Sequence, residues 1–326
     1  MIELQNNELI FRFPEVHDDA VCSIGFQRTL RIPDDNRSYS LPPGLGNFPL
    51  DHVDDYAARV PEQWSLHGGV FLPMYQAEAM WITFSADYPM AVKIAAGKIN
   101  AVNGEPWSNA LSQEPSQDYM VLPDQPWLDG FFAGKGLIRQ FVAMPLGEGF
   151  TAEEQITGEA EHGGLQIVVY PLKKELYKDR RFTREVMACM MVAPSMDFDM
   201  GLAPGGLMQQ EIYEDERGID AWDTSTRSRC FVHILNSVQY QHVTGRKPPS
   251  QPPTARQYTA AGLPWFEYYD SDKKALEEGG KLPELDSVAA TMVKQGKGVL
   301  EDNEPVNPKV VKKIKAAGNQ VREGSF

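Results

Sequence analysis

The chain has 326 residues, 42% of them apolar, so it is long enough to bury a core without disulfides or metals. A formal charge of −14 argues against nucleic acid and anionic membrane as partners, because their phosphates call for a basic surface. Twenty-four prolines and 27 glycines favour short strands over long helices.

Leu9, Phe11 and Phe13 predict a short strand ended by Pro14. In VCSIGFQRTLRI, the apolar residues Cys22, Ile24, Phe26, Leu30 and Ile32 alternate with polar or small ones. That pattern predicts a strand with one wet face, and Arg28 is the exception on its apolar side. Residues 41–69 read as irregular with a turn or two of helix. Gly68-Gly69, Gly163-Gly164 and Gly205-Gly206 each open an apolar run read as a strand. MWITFS and MAVKIAAGKINAV predict further strands, residues 103–118 a polar loop, and Tyr119 to Leu122 a short strand. Phe131 to Met144 predicts a hairpin folded at Gly134-Lys135-Gly136. GLQIVVYPL is apolar on both faces, as in a central strand.

Residues 173–187 read as a helix or an exposed loop, and 194–206 as loop. RCFVHI reads as a strand. A helix over 237–244 follows, with Asn236 as N-cap and Gly245 at its end. Pro248 to Pro253 reads as a polyproline-like linker, before a short helix and the aromatic cluster Trp265, Phe266, Tyr268 and Tyr269. From about residue 273 the chain is polar and expected to pack loosely. The spaces between strands are too short for crossover helices. The expected fold is therefore mainly β, an antiparallel β-sandwich or jelly-roll-like body with a few short helices. The body spans residues 1–272, with the option of a subdomain from about 205. Residues 273–326 form a polar tail, partly helical or disordered.

Known catalytic signatures are missing or incomplete. Gly147 to Ala152 matches GxGxxG/A, but Gly158 and Gly163-Gly164 interrupt the long helix that a dinucleotide needs. Gly134-Lys135-Gly136 lacks the rest of a phosphate loop. His67-Gly68-Gly69 and His162-Gly163-Gly164 are like an esterase oxyanion loop, yet no GxSxG accompanies them. Cys230 and His233, three apart on one expected strand, point to opposite faces and cannot form a dyad unless that strand is a helix. No HxH, HExxH or EF-hand spacing occurs, so no metal is expected. The runs His17-Asp18-Asp19, Asp51 to Asp55 and Met196 to Asp199 read as solvated turns, and no cofactor is expected. Cys22, Cys189 and Cys230 are widely spaced, which suits buried free thiols. The first residues lack a secretory pattern and no run is long enough to span a membrane, so a cytoplasmic location is expected.

The stretches GRKPPSQPPTARQYTAAGLPWFEYYDSD, LPMYQAEAMW, KIAAGKINAV, QPWLDG and RQFVAMPLGEGFTAEEQITG resemble a family of uncharacterised bacterial proteins of unknown function. The resemblance covers most of residues 1–272. It implies a real, compact fold and transfers no site.

Three Pro-Trp pairs supply aromatic loop candidates for binding: Trp107, Trp127 and Trp265. They can equally cover the ends of a sandwich. The tail adds Lys309, Lys312, Lys313, Lys315 and Arg322 to an otherwise acidic chain, an invitation to dock on its own body or on a neighbour. The expected function is a non-enzymatic cytosolic protein that binds or assembles, with itself or another protein as partner. The alternative is an enzyme with a dispersed site in a jelly-roll cleft, acting on carbohydrate or using a metal. Its site would draw on His52, His67, His162, His233 and His242 with carboxylates. A deep pocket holding two or more of these histidines favours the enzyme; shallow surfaces with exposed tryptophan favour binding.

Overall fold

A computed structural model describes residues 1–178, 200–268, 273–298, 300 and 302–314. Cys189 and the run Met196 to Asp199 lie outside them, as do Tyr269, Lys315 and Arg322. All but two of the strands among the described residues belong to two sheets. The nine-stranded sheet runs β1 (Ile2–Gln5), β2 (Glu8–Arg12), β3 (Val21–Thr29), β7 (Ala79–Ala86), β13 (Leu137–Pro145), β15 (Met200–Gln209), β4 (Ser38–Tyr39). Two short members join it: β11 (Trp127–Leu128) on β7 and β12 (Gly130–Gly134) on β13. The seven-stranded sheet runs β10 (Met120–Leu122), β8 (Met90–Ala96), β14 (Leu165–Pro171), β16 (Ser228–Asn236), β6 (Val70–Met74), β5 (Asp51–His52), with β9 (Ile99–Asn100) on β8.

The fold is mainly β, antiparallel for the most part and sandwich-like. Inward residues of both sheets, among them Ile24, Phe26, Ile82 and Phe141 from one and Ile94, Ile167, Val232 and Ile234 from the other, merge into one core cluster. Pairing is parallel at β16–β6 and at β15–β4. No helix among the described residues is long and apolar enough to cross a membrane.

Local sequence explains much of this. The run apolar on both faces is β14, paired on both sides and buried along its whole length. The predicted hairpin is β12–β13. Helix α3 (Ser237–Thr244) has Asn236 accepting from the Val238 amide at 2.9 Å, and Gly245 in the left-handed conformation at its end. The GxGxxG/A match leads into α2 (Ala152–Thr157), a six-residue helix stopped at Gly158 and started by a Thr151–Glu154 capping box.

Three expectations change. Gly205-Gly206 does not open a strand; it lies inside β15, so the expected loop over 194–206 is strand from Met200. Here glycine serves close approach, since a Cβ on Gly206 would sit 2.4 Å from the Pro33 carbonyl oxygen. The wet face of β3 dries out at its end, where Gln27 and Thr29 are buried, and Arg28 is buried on the opposite, apolar face. The segment after 273 is also more than a loose tail. Leu282, Leu285 and Val306 enter the main core, and Val288 of α5 (Val288–Lys294) packs against Val142 and Ala203 of the nine-stranded sheet. Beyond it, β18 (Val311–Ile314) pairs in parallel with β17 (Trp265–Tyr268), and Lys313 reaches Glu267 at 3.5 Å.

Candidate functional site

The two His-Gly-Gly motifs meet on either side of β16. Val70, which follows the first, and Leu165, which follows the second, both pair with Val232. Both glycine pairs press on the β16 backbone. A Cβ on Gly69 would lie 2.2 Å from the Phe231 carbonyl oxygen, and one on Gly164 would lie 2.3 Å from that of Val232. Only glycine permits this approach, and it carries His67 and His162 to the outward face of β16 beside His233.

That face bears Arg229, Phe231 and His233 at alternating positions, while Cys230, Val232 and Ile234 face the core. Cys230 and His233 thus diverge, as their spacing predicts. Helix α1 (Glu62–His67) lies across the face and builds a stack. Trp64 covers His233 at 4.4 Å between ring centres and 18° between planes. His67 covers Phe231 at 4.5 Å and 14°. His162 meets His67 edge-on at 5.4 Å. The Arg229 guanidinium lies 4.5 Å from the Phe231 ring centre and 5.7 Å from that of Trp107.

Trp107 is held from below. The loop that carries it is tied to the buried Lys93 of β8, whose ammonium meets Asp118 at 2.5 Å, the Ala110 carbonyl at 2.7 Å and Ser108 at 3.1 Å. The same ammonium is 5.5 Å from the Trp107 ring centre. Lys93 and Asp118 are both buried, so their pairing fixes the loop and Trp107 against the sheet.

The electrostatics separate the imidazoles from the guanidinium. Burial lowers the His233 pKa to about 4, while its bond to the Gly68 carbonyl at 3.0 Å works the other way. Burial and then the nearby Lys98 charge lower His162 as well. Lys98 itself is bonded to Glu159 and Glu161. Arg229 keeps its charge with Gln166 as its hydrogen-bond partner. No carboxylate among the described residues forms an ion pair with it, in a chain of 45 acids.

A pH prediction follows. In the unfolded chain a histidine protonates near pH 6.5, whereas His233 stays neutral in the fold down to about 4. The unfolded state therefore takes up protons first, and stability contributed by this site is lost as pH falls from about 6.5 toward 4. Urea midpoints across that range should decline more steeply for the native chain than for His233→Phe. Parallel curves would show that His233 does not titrate in this way.

Of the five expected histidines, the structure brings together His67, His162 and His233. His52 on β5 and His242 on α3 stand apart and exposed. The trio encloses only about 10 Å³, the space of roughly one water molecule. Two larger clefts, of about 310 and 420 Å³, hold no histidine. No group of three or more metal-ligating side chains occurs among the described residues.

The three tryptophans also differ. Trp107 is half-buried in its loop. Trp127 is half-buried too, but starts β11 and packs edge-on to Trp81 and Tyr268. Trp265 is no loop contact. It is fully buried on β17 among Tyr39 and Tyr258, because β17 is covered by β18 and by the chain at Leu41. Arg229, Phe231 and Trp64 were not foreseen as site residues. The alternation in RCFVHI held the signal for the first two, since its outward positions carry a cation, an aromatic ring and an imidazole.

Compared with known proteins, the chain matches no family model, no curated protein and no solved structure. The site is therefore read from its own geometry.

Proposed function

We propose that the chain is a binding protein, not an enzyme, that engages a carboxylate-bearing partner through the face formed by Trp107, Arg229, Phe231 and His67. The observation that carries this reading is Arg229. Its guanidinium is exposed, set close to two aromatic rings, and without a carboxylate partner among the described residues. Stacking fixes the fork in advance, so a partner carboxylate can use its free donors at little entropic cost. Arginine and tryptophan are the side chains that most often dominate such contacts. The acidic partner is either another protein or a second copy of this chain, whose own surface is rich in carboxylates. In the same reading the protein works in the cytosol, where Cys22 and Cys230 remain free buried thiols. The enzyme alternative needs room for substrate, and the histidine trio offers about one water's worth.

The test is a fluorescence titration with hexaglutamate, with hexalysine as control. Hexaglutamate should bind, weaken with salt, and lose roughly 30-fold in affinity in Arg229→Ala, the effect of removing an interface hot spot worth about 2 kcal/mol. Equal binding by the variant sinks the proposal. Light scattering of both proteins distinguishes the partners: a concentration-dependent mass that Arg229→Ala abolishes identifies a second copy.

A further inference from the structure

The cleft of about 310 Å³ lies at the turn between β6 and β7 and shares no lining residue with the histidine face. Its floor is the turn Tyr75-Gln76-Ala77-Glu78. The segment Gln251 to Ala255 forms one side, and Arg31 with Asp302 another. Its size is at the lower end of small-molecule sites.

Two features mark it as built. Five non-glycine residues among those described have positive φ, and three of them are asparagines, which tolerate it. Of the other two, Asp302 at 63° is of a type that also tolerates it, while Ala77 at 62° is not, and both line this cleft. A left-handed alanine costs on the order of 1 kcal/mol, and such strain concentrates at ligand sites. Beneath the floor is the buried pair Arg28–Glu78, with Glu78 also accepting from the Tyr75 amide at 2.8 Å. Arg28 and the Tyr75 hydroxyl in turn hold the carbonyls of Ser250 and Pro249, so the polar network fixes both the floor and the proline segment above it.

The lining chemistry selects the ligand. The side chains of Gln76 and Gln251 are exposed at the cleft, and a primary amide both donates and accepts. Arg31 and Asp302 add a donor set and an acceptor set of opposite charge, and the floor carboxylate Glu78 is offset by Arg28 beneath it, so neither sign dominates the wall. Ala77, Pro252, Pro253 and Leu300 supply apolar contact. Adjacent donors and acceptors match a row of hydroxyl groups, each of which donates and accepts, while the apolar surface suits the C–H face of the same molecule.

We infer that this cleft binds a small neutral polyol of about monosaccharide size. Isothermal titration of the full chain with glucose, mannitol and myo-inositol tests it, with succinate and inorganic phosphate as controls. At least one polyol should bind saturably and raise the Tm, with neither anion doing so. Gln76→Ala/Gln251→Ala, both at exposed positions, should reduce that affinity at least tenfold. Arg229→Ala should leave it unchanged, which keeps this site distinct from the proposed partner face. Circular dichroism and the native Tm of the double variant confirm that it is folded. No polyol binding at 50 mM, preferential binding of an anion, or equal affinity in the folded double variant would each overturn the inference.

Discussion

Arg28→Met should destabilise the protein by about 3–5 kcal/mol, one of the two largest effects expected of a single substitution here. Arg28 and Glu78 are both buried, with the guanidinium donating to one carboxylate oxygen at 2.9 and 2.7 Å. Burial pushes the Glu78 carboxyl up despite that partner. Without Arg28, Glu78 must either remain charged in the core or take up a proton. Both cost stability, and the Ser250 carbonyl loses its donor as well. Replacing the pair together is a different matter. Arg28→Met with Glu78→Leu removes both desolvation penalties and should recover much of the loss. Urea denaturation of the wild type, both single variants and the double variant gives the coupling directly. A loss below 1 kcal/mol for Arg28→Met would mean that water reaches the pair in solution.

Lys93→Met should cost a similar amount, about 3–5 kcal/mol, and should also free the loop over 103–118. Lys93 is the hub of that loop. It meets Asp118, whose other carboxylate oxygen accepts from the Ser112 amide at 2.9 Å, and it holds the Ala110 carbonyl. Burial raises the Asp118 carboxyl and Lys93 opposes the rise. In Lys93→Met that opposition is gone, so Asp118 should protonate more readily and the penalty should shrink as pH falls. Hydrogen exchange should accelerate across 103–118 while β14 stays protected. Binding through the Arg229 face should weaken too, because Trp107 is no longer held against the guanidinium. An unchanged exchange pattern would show that the loop is fixed by its backbone turns alone.

Most of the strands were legible in the sequence, because alternation and continuous apolar runs reflect burial residue by residue. β14 and the β12–β13 hairpin follow from neighbours a few positions away. So do the Asn236 cap and the Gly245 stop of α3, since a cap needs only its own helix. The Pro-Trp pairs failed as a guide for Trp265 because a proline reports a break in the local backbone, not what later covers the tryptophan. There the cover comes from β18, more than forty residues on.

By itself the sequence determined the fold class, the positions of most turns and the incompleteness of every catalytic motif tested. Tertiary structure alone decided what meets what. Arg28 could be seen as the exception on an apolar face, but its partner Glu78 is 50 residues away. The two His-Gly-Gly motifs could be seen as a recurring tripeptide. That they flank one residue of β16 depends on strand order, with one neighbour parallel and the other antiparallel. Trp107 and Arg229 share no local pattern at all; a buried lysine on a third strand brings them together. Alternation and caps are set by interactions within a few residues, whereas these pairings are set by which strands lie side by side once the sheets have closed.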